Sequence, residues 1–408
     1  MQTPWEHRFA RRTQAMQSSA IREILKLTQA PDVISFAGGL PAPEAFPIES
    51  IREASDFVLD EMGAKVLQYY PTEGYVPLRK MLCGFSAAQG VEASIDNVLI
   101  TSGSQQALDL IGKVFINRGD LILVESPTYL GAIQAFNAYG AEYLAVPFDD
   151  QGMQTDALEE ALRAGPKLIY VVPNFQNPTG VTMSLKRRQR LVELADQYGV
   201  PIVEDDPYGK LRYEGEYIPP VIAVDAEFRG QCEETYCGNV IYLSTFSKTL
   251  APGLRMAWVT APVVVIQKFV QAKQGADLHS PTFNQAIAYE AAKDGFLAQY
   301  IEKIKAIYGE RRLVMLAALE EHFPAGTKWT RPEGGMFLWV TLPEGIDASE
   351  ILQKAVQRKV AFVPGGPFHA NGGGKNTMRL NFSNAQPEMI REGIARLGQV
   401  LKKELKVT

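Results

Sequence analysis

Cysteine and histidine are scarce in this chain: three cysteines (Cys83, Cys232, Cys237) and four histidines (His7, His279, His322, His369) among 408 residues. Cysteines so few and so irregularly placed exclude a disulfide framework. Cys232 and Cys237 stand close enough in sequence to pair or to share a metal, but the expectation is ordinary thiols in a reduced compartment. The histidines show no HExxH or similar ligand spacing, so no metal site is expected. Positive charge is not in excess either: Lys and Arg number 41 against 46 for Asp and Glu, a formal net charge of -5. That balance argues against a broad basic face for nucleic acid. No apolar run approaches the roughly 18–20 residues of a membrane span. The opening stretch carries Arg8, Arg11 and Arg12 but lacks an apolar core, and Glu6 and Glu23 interrupt it. It reads as part of a mature, cytoplasmic protein rather than as a targeting segment.

What is present is apolar residue: 46% of the chain, enough for a sizeable core without disulfides or metals. From about residue 96 short β-rich runs alternate with helical patterns. DNVLIT (96–101), LILVESP (121–127), KLIYVVPN (167–174), VPIVEDD (200–206) and NVIYLSTFS (239–247) read as strands. QQALDLIGKVFIN (105–117) and SLKRRQRLVELADQYG (184–199) read as amphipathic helices. Such alternation predicts an α/β fold with a mostly parallel central sheet flanked by helices. After about residue 284 the texture changes to one long helical stretch (289–323), the strands GGMFLWVTL (334–342) and TMRLNFS (377–383), and a closing helix (387–405). This predicts a smaller α+β domain. The expected division is an arm over 1–50, a large domain over 51–284 and a small domain over 285–408. FAGGLPAPEAFP (36–47) has neither period and reads as a functional loop within the arm.

The segment that points to chemistry is STFSKTLAPGLRMAWV (244–259). A strand ends in hydroxyl residues, then come Lys248, a turn and Arg255. Lysine is usually a surface residue, yet this one follows a central strand at its carboxyl end. Ligands bind at that edge in open α/β sheets. Upstream, VEDDPYG (203–209) brings Asp205 and Tyr208 to the end of another strand, and NFQNPTG (174–180) ends a third. SGSQQALDL (102–110) joins a strand to a helix whose first N–H groups, around Ser104 and Gln105, make an anion site. By itself each is ordinary: NPTG is a common turn, and an acidic triplet is often a solvated one. Together they bring polar groups from four strand ends to one edge.

In this order and spacing, Asn177-Pro178-Thr179-Gly180, Asp205-x-x-Tyr208, Ser247-Lys248 with Arg255, and Arg379 in MRLNFS resemble the fold-type I pyridoxal-phosphate enzymes of the class I/II aminotransferase family. The resemblance runs from FAGGLP to MRLNFS and comes nearest the 2-aminoadipate aminotransferase group, through SSAIREILKLTQ, FAGGLPAPE, LQYYPTEG, TSGSQQALDL and FVPGGPF. It implies pyridoxal 5′-phosphate as cofactor. Lys248 would bond covalently to its aldehyde and, once displaced, move a proton at the substrate Cα. Asp205 would face the ring nitrogen and keep it protonated. Tyr208 and Asn177 would hold the ring oxygen, and Tyr129 would stack on the ring. Ser104, Gln105, Thr245, Ser247 and Arg255 would bind the phosphate. Thr245 stands where close relatives often have serine, and the hydroxyl is kept.

The resemblance further implies that Arg379 grips the substrate carboxylate with its planar fork, and that Gly39 lets backbone approach the substrate. Tyr69 would reach the phosphate of a neighbouring subunit, which implies a homodimer with shared active sites. Arg22 would read the distal carboxylate of acidic donors, or else pair with a neighbour on its own helix. Tyr70 replaces a smaller residue expected there, and its ring would narrow the pocket or favour aromatic partners. The implied reaction moves an amino group from 2-aminoadipate, glutamate, branched-chain or aromatic amino acids to a 2-oxo acid such as 2-oxoglutarate. A β-lyase or decarboxylase on the same scaffold would share the cofactor residues; Arg379 and the aminoadipate-like stretches favour transamination. A ligand sensor fused to a DNA-binding module is disfavoured because about 35 residues precede FAGGLP, too few for a winged helix. A nicotinamide dehydrogenase would need GxGxxG at a strand–helix junction, and none is present.

Overall fold

Successive side chains of a strand point to opposite faces, so a strand covered on both sides must be apolar almost continuously. The runs read above meet that condition. In the computed structural model, which describes residues 3–10, 12–13, 32–230 and 235–405, they belong to one eight-stranded sheet. Its order is Val98–Thr101, Ala257–Thr260, Val240–Thr245, Ile202–Asp205, Leu168–Val171, Leu121–Ser126, Glu142–Asp149 and Gly152–Met153. Pairing is parallel from Val240–Thr245 through to Glu142–Asp149. Ala257–Thr260 runs antiparallel to both neighbours, and Gly152–Met153 antiparallel to Glu142–Asp149.

The alternation sorts the core into two layers. Ile122, Val124, Tyr170, Val203 and Leu243 face the helices Ser104–Phe115, Leu130–Asn137 and Val263–Gln274, packing on Leu108, Ile111, Phe136 and Phe269. Leu123, Ile169, Ile202 and Val240 face the opposite way, against Leu158, Leu191, Leu194 and Val221. Each large side chain buried in this manner contributes roughly 1.5–3 kcal/mol. The mostly parallel sheet between helices agrees with the expected fold class.

The smaller sheet is antiparallel throughout, in the order Lys328–Trp329, Phe337–Thr341, Thr377–Asn381 and Val363–Pro364. It packs with the helices Phe296–His322 and Pro387–Glu404 through Met315, Leu338, Phe362, Leu380 and Leu397. Residues 32–47 belong to this core. Ile34–Ser35 pairs in parallel with Val360–Ala361, and Phe36 is fully buried between them and Asn381, whose N–H donates to its carbonyl. The following loop holds one short 3-10 turn, Pro43–Ala45, and carries Gly39 across to the large sheet.

Three features differ from expectation. Glu142–Asp149, Gly152–Met153 and Ala257–Thr260 were not anticipated as strands. The continuous helix expected over 289–323 is two, Thr282–Ala292 and Phe296–His322, divided where Asp294 and Gly295 adopt left-handed backbone (φ 56° and 83°). A helical period survives such a break, because both halves still bury one face. Cys83 is a free thiol, but Cys237 is disulfide-bonded rather than an ordinary thiol. Cys232 lies outside the described residues. Among the described residues, no helix is long and apolar enough to cross a membrane.

Candidate active site

At the end of Ile202–Asp205 the alternation separates three consecutive carboxylates. Glu204 turns toward the Val221–Arg229 helix and accepts the N–H groups of Val221 and Ile222, both at 2.8 Å. It therefore caps a helix start, where an anion is favoured. Asp206 accepts from Asn174, the N–H of Gly209 and the hydroxyl of Tyr242. Asp205 shares the face of Val203 and Tyr170. Its Oδ2 accepts the Tyr170 hydroxyl at 2.8 Å, while Oδ1 is buried with no partner. Burial raises the Asp205 pKa to about 7, against the Tyr170 hydrogen bond, which lowers it.

Asp205 opens onto a cavity of about 400 Å³ at the carboxyl edge of the sheet. That cavity gathers Gly39, Ser104, Gln105, Tyr129, Asn177, Tyr208, Thr245, Ser247, Lys248, Arg255 and Arg379. Lys248 follows Val240–Thr245 by three residues, and its Nζ donates to Gly39 O at 2.7 Å. Burial first, then the nearby Arg379 and Arg255 cations, lower its pKa to about 8. Both effects penalise the charged ammonium. Arg379 donates to Asn177 Oδ1 at 2.8 Å and Ala37 O at 2.6 Å, and its guanidinium lies 4.3 Å over the Phe337 ring. Its Nε is buried without a partner. Tyr208 hydrogen-bonds Asn177 and meets Phe337 edge-on, 5.9 Å between ring centroids.

Another group of lining residues suits an anion. Gly103 precedes the helix Ser104–Phe115 with φ 80°, and a Cβ there would collide with the Arg255 guanidinium, so only glycine lets that cation lie against the loop. The Ser104 hydroxyl is buried and partnerless. The Thr245 hydroxyl lies 2.9 Å from Ser247 Oγ. Gln105 ties the helix start to the Tyr129 turn through Gly131 O at 3.2 Å. Arg255 itself is held at φ 54°, a left-handed conformation unusual for a long side chain.

The fit to pyridoxal 5′-phosphate can be tested on these atoms. A buried polar group without a partner costs about 1–3 kcal/mol. Here Asp205 Oδ1, Ser104 Oγ and Arg379 Nε are all such groups, and their residues line one cavity. A ligand with a ring N–H at one end and a phosphate at the other, with a carboxylate brought alongside, satisfies all three. The residues fit the group.

Two expected site residues are not gathered here. Tyr69 is 77% exposed and does not line the cavity of its own chain; its ring meets His279 edge-on. Arg22 lies outside the described residues. Tyr70, expected to narrow the pocket, packs edge-on against Tyr75 and also does not line it. Reading the sequence missed Val172, Pro207, Pro252 and Phe337, which complete the lining. Gly39 held a clue to the last: a Cβ there would lie 3.0 Å from the Phe337 ring. A larger cavity of about 780 Å³ lies beyond Pro207 and Thr245, but its lining is mainly apolar and contains neither Lys248 nor Asp205. Chemistry, not size, selects the smaller one.

Comparison with known proteins agrees with this geometry. The model of the family described as aminotransferase class I and II matches residues 31–397. The chain is 51% identical to aromatic-amino-acid aminotransferase 1 of Thermococcus litoralis, over 98% of this chain and 96% of that protein. It is 48% identical to 2-aminoadipate transaminase of Thermus thermophilus, over 98% and 97% respectively. Among solved structures it is similar to an alpha-aminoadipate aminotransferase, also from Thermus thermophilus, complexed with N-(5′-phosphopyridoxyl)-L-leucine. That match has a TM-score of 0.92 and 44% identity, covering 99% of this chain and 100% of the other.

Proposed function

We propose, from the premise that this chain belongs to the aminotransferase class I and II family and uses pyridoxal 5′-phosphate, that it moves an amino group from 2-aminoadipate, glutamate, branched-chain or aromatic amino acids to a 2-oxo acid such as 2-oxoglutarate. The observation that carries the assignment of roles is the convergence of three partnerless polar atoms, Asp205 Oδ1, Ser104 Oγ and Arg379 Nε, with the Lys248 amine on one cavity. When bound, the cofactor supplies an aldehyde for amine exchange and a protonated ring that accepts the electron pair of the broken Cα–H bond.

The chain's own residues do the rest. Lys248 holds the cofactor covalently, and its lowered pKa leaves a useful fraction of neutral amine near neutral pH to take a proton from the substrate Cα. Asp205 stays anionic opposite the ring nitrogen. Tyr208 and Asn177 hold the ring oxygen, and Tyr129 covers the ring. Ser104, Gln105, Thr245, Ser247 and Arg255 bind the phosphate at the helix start. Arg379 spends two N–H groups on Asn177 and Ala37 and keeps others, Nε–H among them, for the substrate carboxylate. Gly39 brings its backbone against that substrate.

The names of the relatives support both dicarboxylic and aromatic donors. Arg22 is assigned the distal carboxylate of dicarboxylic donors. Donor half-reactions with 2-aminoadipate, glutamate, leucine and phenylalanine, run without an acceptor, test this, because 2-oxoglutarate itself carries a distal carboxylate. Arg22→Ala should raise the half-saturating concentration roughly tenfold or more for the first two alone, the worth of a charged hydrogen bond. Equal losses across the panel would remove the charge pair.

A homodimer belongs to the same reading. Tyr69, Leu67 and Leu278 are 77%, 70% and 53% exposed, apolar surface that a second copy would cover. Tyr69 would then serve the partner's phosphate. Sedimentation of the cofactor-loaded protein should give twice the chain mass; a monomer with full activity would contradict shared sites.

A further inference from the structure

We infer that Tyr170 is a positioning residue for Asp205: it fixes one carboxylate oxygen so that the other is left for the cofactor ring nitrogen. The inference rests on the role proposed above for Asp205.

Tyr170 lies on Leu168–Val171, directly across from Val203 on the adjacent parallel strand. Asp205 is two residues beyond Val203 and so on the same face, a diagonal of roughly 7–8 Å that an aromatic side chain can span. The phenol does so: its hydroxyl donates to Asp205 Oδ2 at 2.8 Å. Both residues are buried, Tyr170 completely. The ring cannot swing away, because Phe136 packs edge-on against it at 5.9 Å. Burial and the neighbouring carboxylate raise the Tyr170 pKa well above its ordinary value, so the hydroxyl remains a donor at every working pH.

What distinguishes this bond is what it leaves over. Glu204 and Asp206 each accept two or more hydrogen bonds from protein groups. Asp205 accepts one, and its second oxygen is buried without a partner beside the cavity. One fixed oxygen sets the plane of the carboxylate, and the free one would be left to accept from the ring nitrogen of a bound cofactor. Stabilising the anion also keeps the shared proton on the ring. The other titratable groups that bear on this pair are Asp206, Tyr129 and Tyr208 around the carboxylate and Glu125 near the phenol. None of them is hydrogen-bonded to Asp205.

The test uses the holoenzyme loaded with cofactor carrying 15N in its ring, read by the nitrogen chemical shift across pH. Tyr170→Phe keeps the ring and its packing on Phe136. Its ring-nitrogen signal should move from the protonated toward the unprotonated position, with kcat down about tenfold and KM little changed. Tyr242→Phe is the control, since it removes a buried phenol bond from Asp206 at 3.0 Å. Its melting temperature should fall about as far, with the nitrogen signal unmoved. If both variants shift the signal alike, the effect is general loosening and the inference fails. It also fails if Tyr170→Phe leaves the signal in place while Asp205→Asn moves it. If Asp205→Asn itself leaves the signal in place, the reading of Asp205 is what has failed, and this inference goes with it.

Discussion

Lys248→Ala should lose overall transamination and hold the cofactor only noncovalently. The amine sits beyond a fully buried strand, hydrogen-bonded to Gly39 O at 2.7 Å and flanked by two cations. An alanine at that place would remove both the proposed bond to the cofactor and, among the described residues, the only lysine lining the cavity, to which the Cα proton is assigned. Losing the proton carrier alone is worth roughly 10²–10⁴-fold in rate. Borohydride reduction of the loaded natural protein should fix cofactor mass on the peptide containing Lys248, and none in the variant. The pH profile separates this amine from a surface lysine. Enclosure and positive neighbours disfavour the ammonium, so the reactive neutral form is gained as pH rises through about 8. Cofactor capture by the apoenzyme should therefore climb with pH and level off above about 8. A plateau displaced to the ordinary lysine range, or a variant that turns over at the natural rate, would take Lys248 out of its role.

The sheet was legible where burial is two-sided. Ile202–Asp205 and Val240–Thr245 are buried at every position, so composition alone betrays them. Glu142–Asp149 is mostly half-exposed and contains Pro147, a pattern that suits a strand near the sheet edge and breaks the apolar run. Ala257–Thr260 hides for another reason: it follows the Lys248–Arg255 segment so closely that four residues are its whole signal. Asn177, Asp205, Tyr208, Thr245, Ser247 and Lys248 were legible because they end or follow parallel strands, whose carboxyl ends share an edge; Gly39 in the arm and Arg379, inside Thr377–Asn381 of the smaller sheet, were reached only through the family resemblance. Tyr170 was not legible, because it reaches the cavity only through Asp205. In LIYVV it looks like one more core side chain, and only the register of two strands shows that its hydroxyl meets a carboxylate 35 residues away. Phe337 is hidden in the same manner inside FLWVT. Tyr69 marks a different limit: its ring is exposed on this chain, so the role proposed for it depends on a second copy.

Asp205→Asn should cost roughly 10²–10³-fold in kcat, as loss of a single preorganised electrostatic partner does elsewhere, while cofactor binding survives. The amide has the size of the carboxylate, so neither the strand nor the cavity needs to move. Its orientation is forced. A phenol oxygen can also accept, but the buried Tyr170 proton finds its acceptor at the position of Oδ2, 2.8 Å away, and an NH₂ placed there would leave that proton unpaired at a cost of about 1–3 kcal/mol. The amide oxygen must take that place, which turns the NH₂ into the position of the partnerless Oδ1. An acceptor facing the ring nitrogen thus becomes a donor, compatible only with an unprotonated ring. The phosphate contacts and Lys248 are untouched, so the cofactor stays bound and covalently attached, but the electron sink is gone. Asp205→Glu keeps the anion and lengthens it by one methylene; activity should fall less than in the amide, because charge is retained where orientation is lost. Pre-steady-state conversion with glutamate, followed by absorbance at saturating cofactor, reads the step directly. Burial already holds Asp205 near pKa 7 in the absence of a cation, so the anion there depends on the positive ring it faces, and each stabilises the other. An Asp205→Asn protein that converts glutamate within about twofold of the natural rate would mean that no such mutual stabilisation operates at this carboxylate.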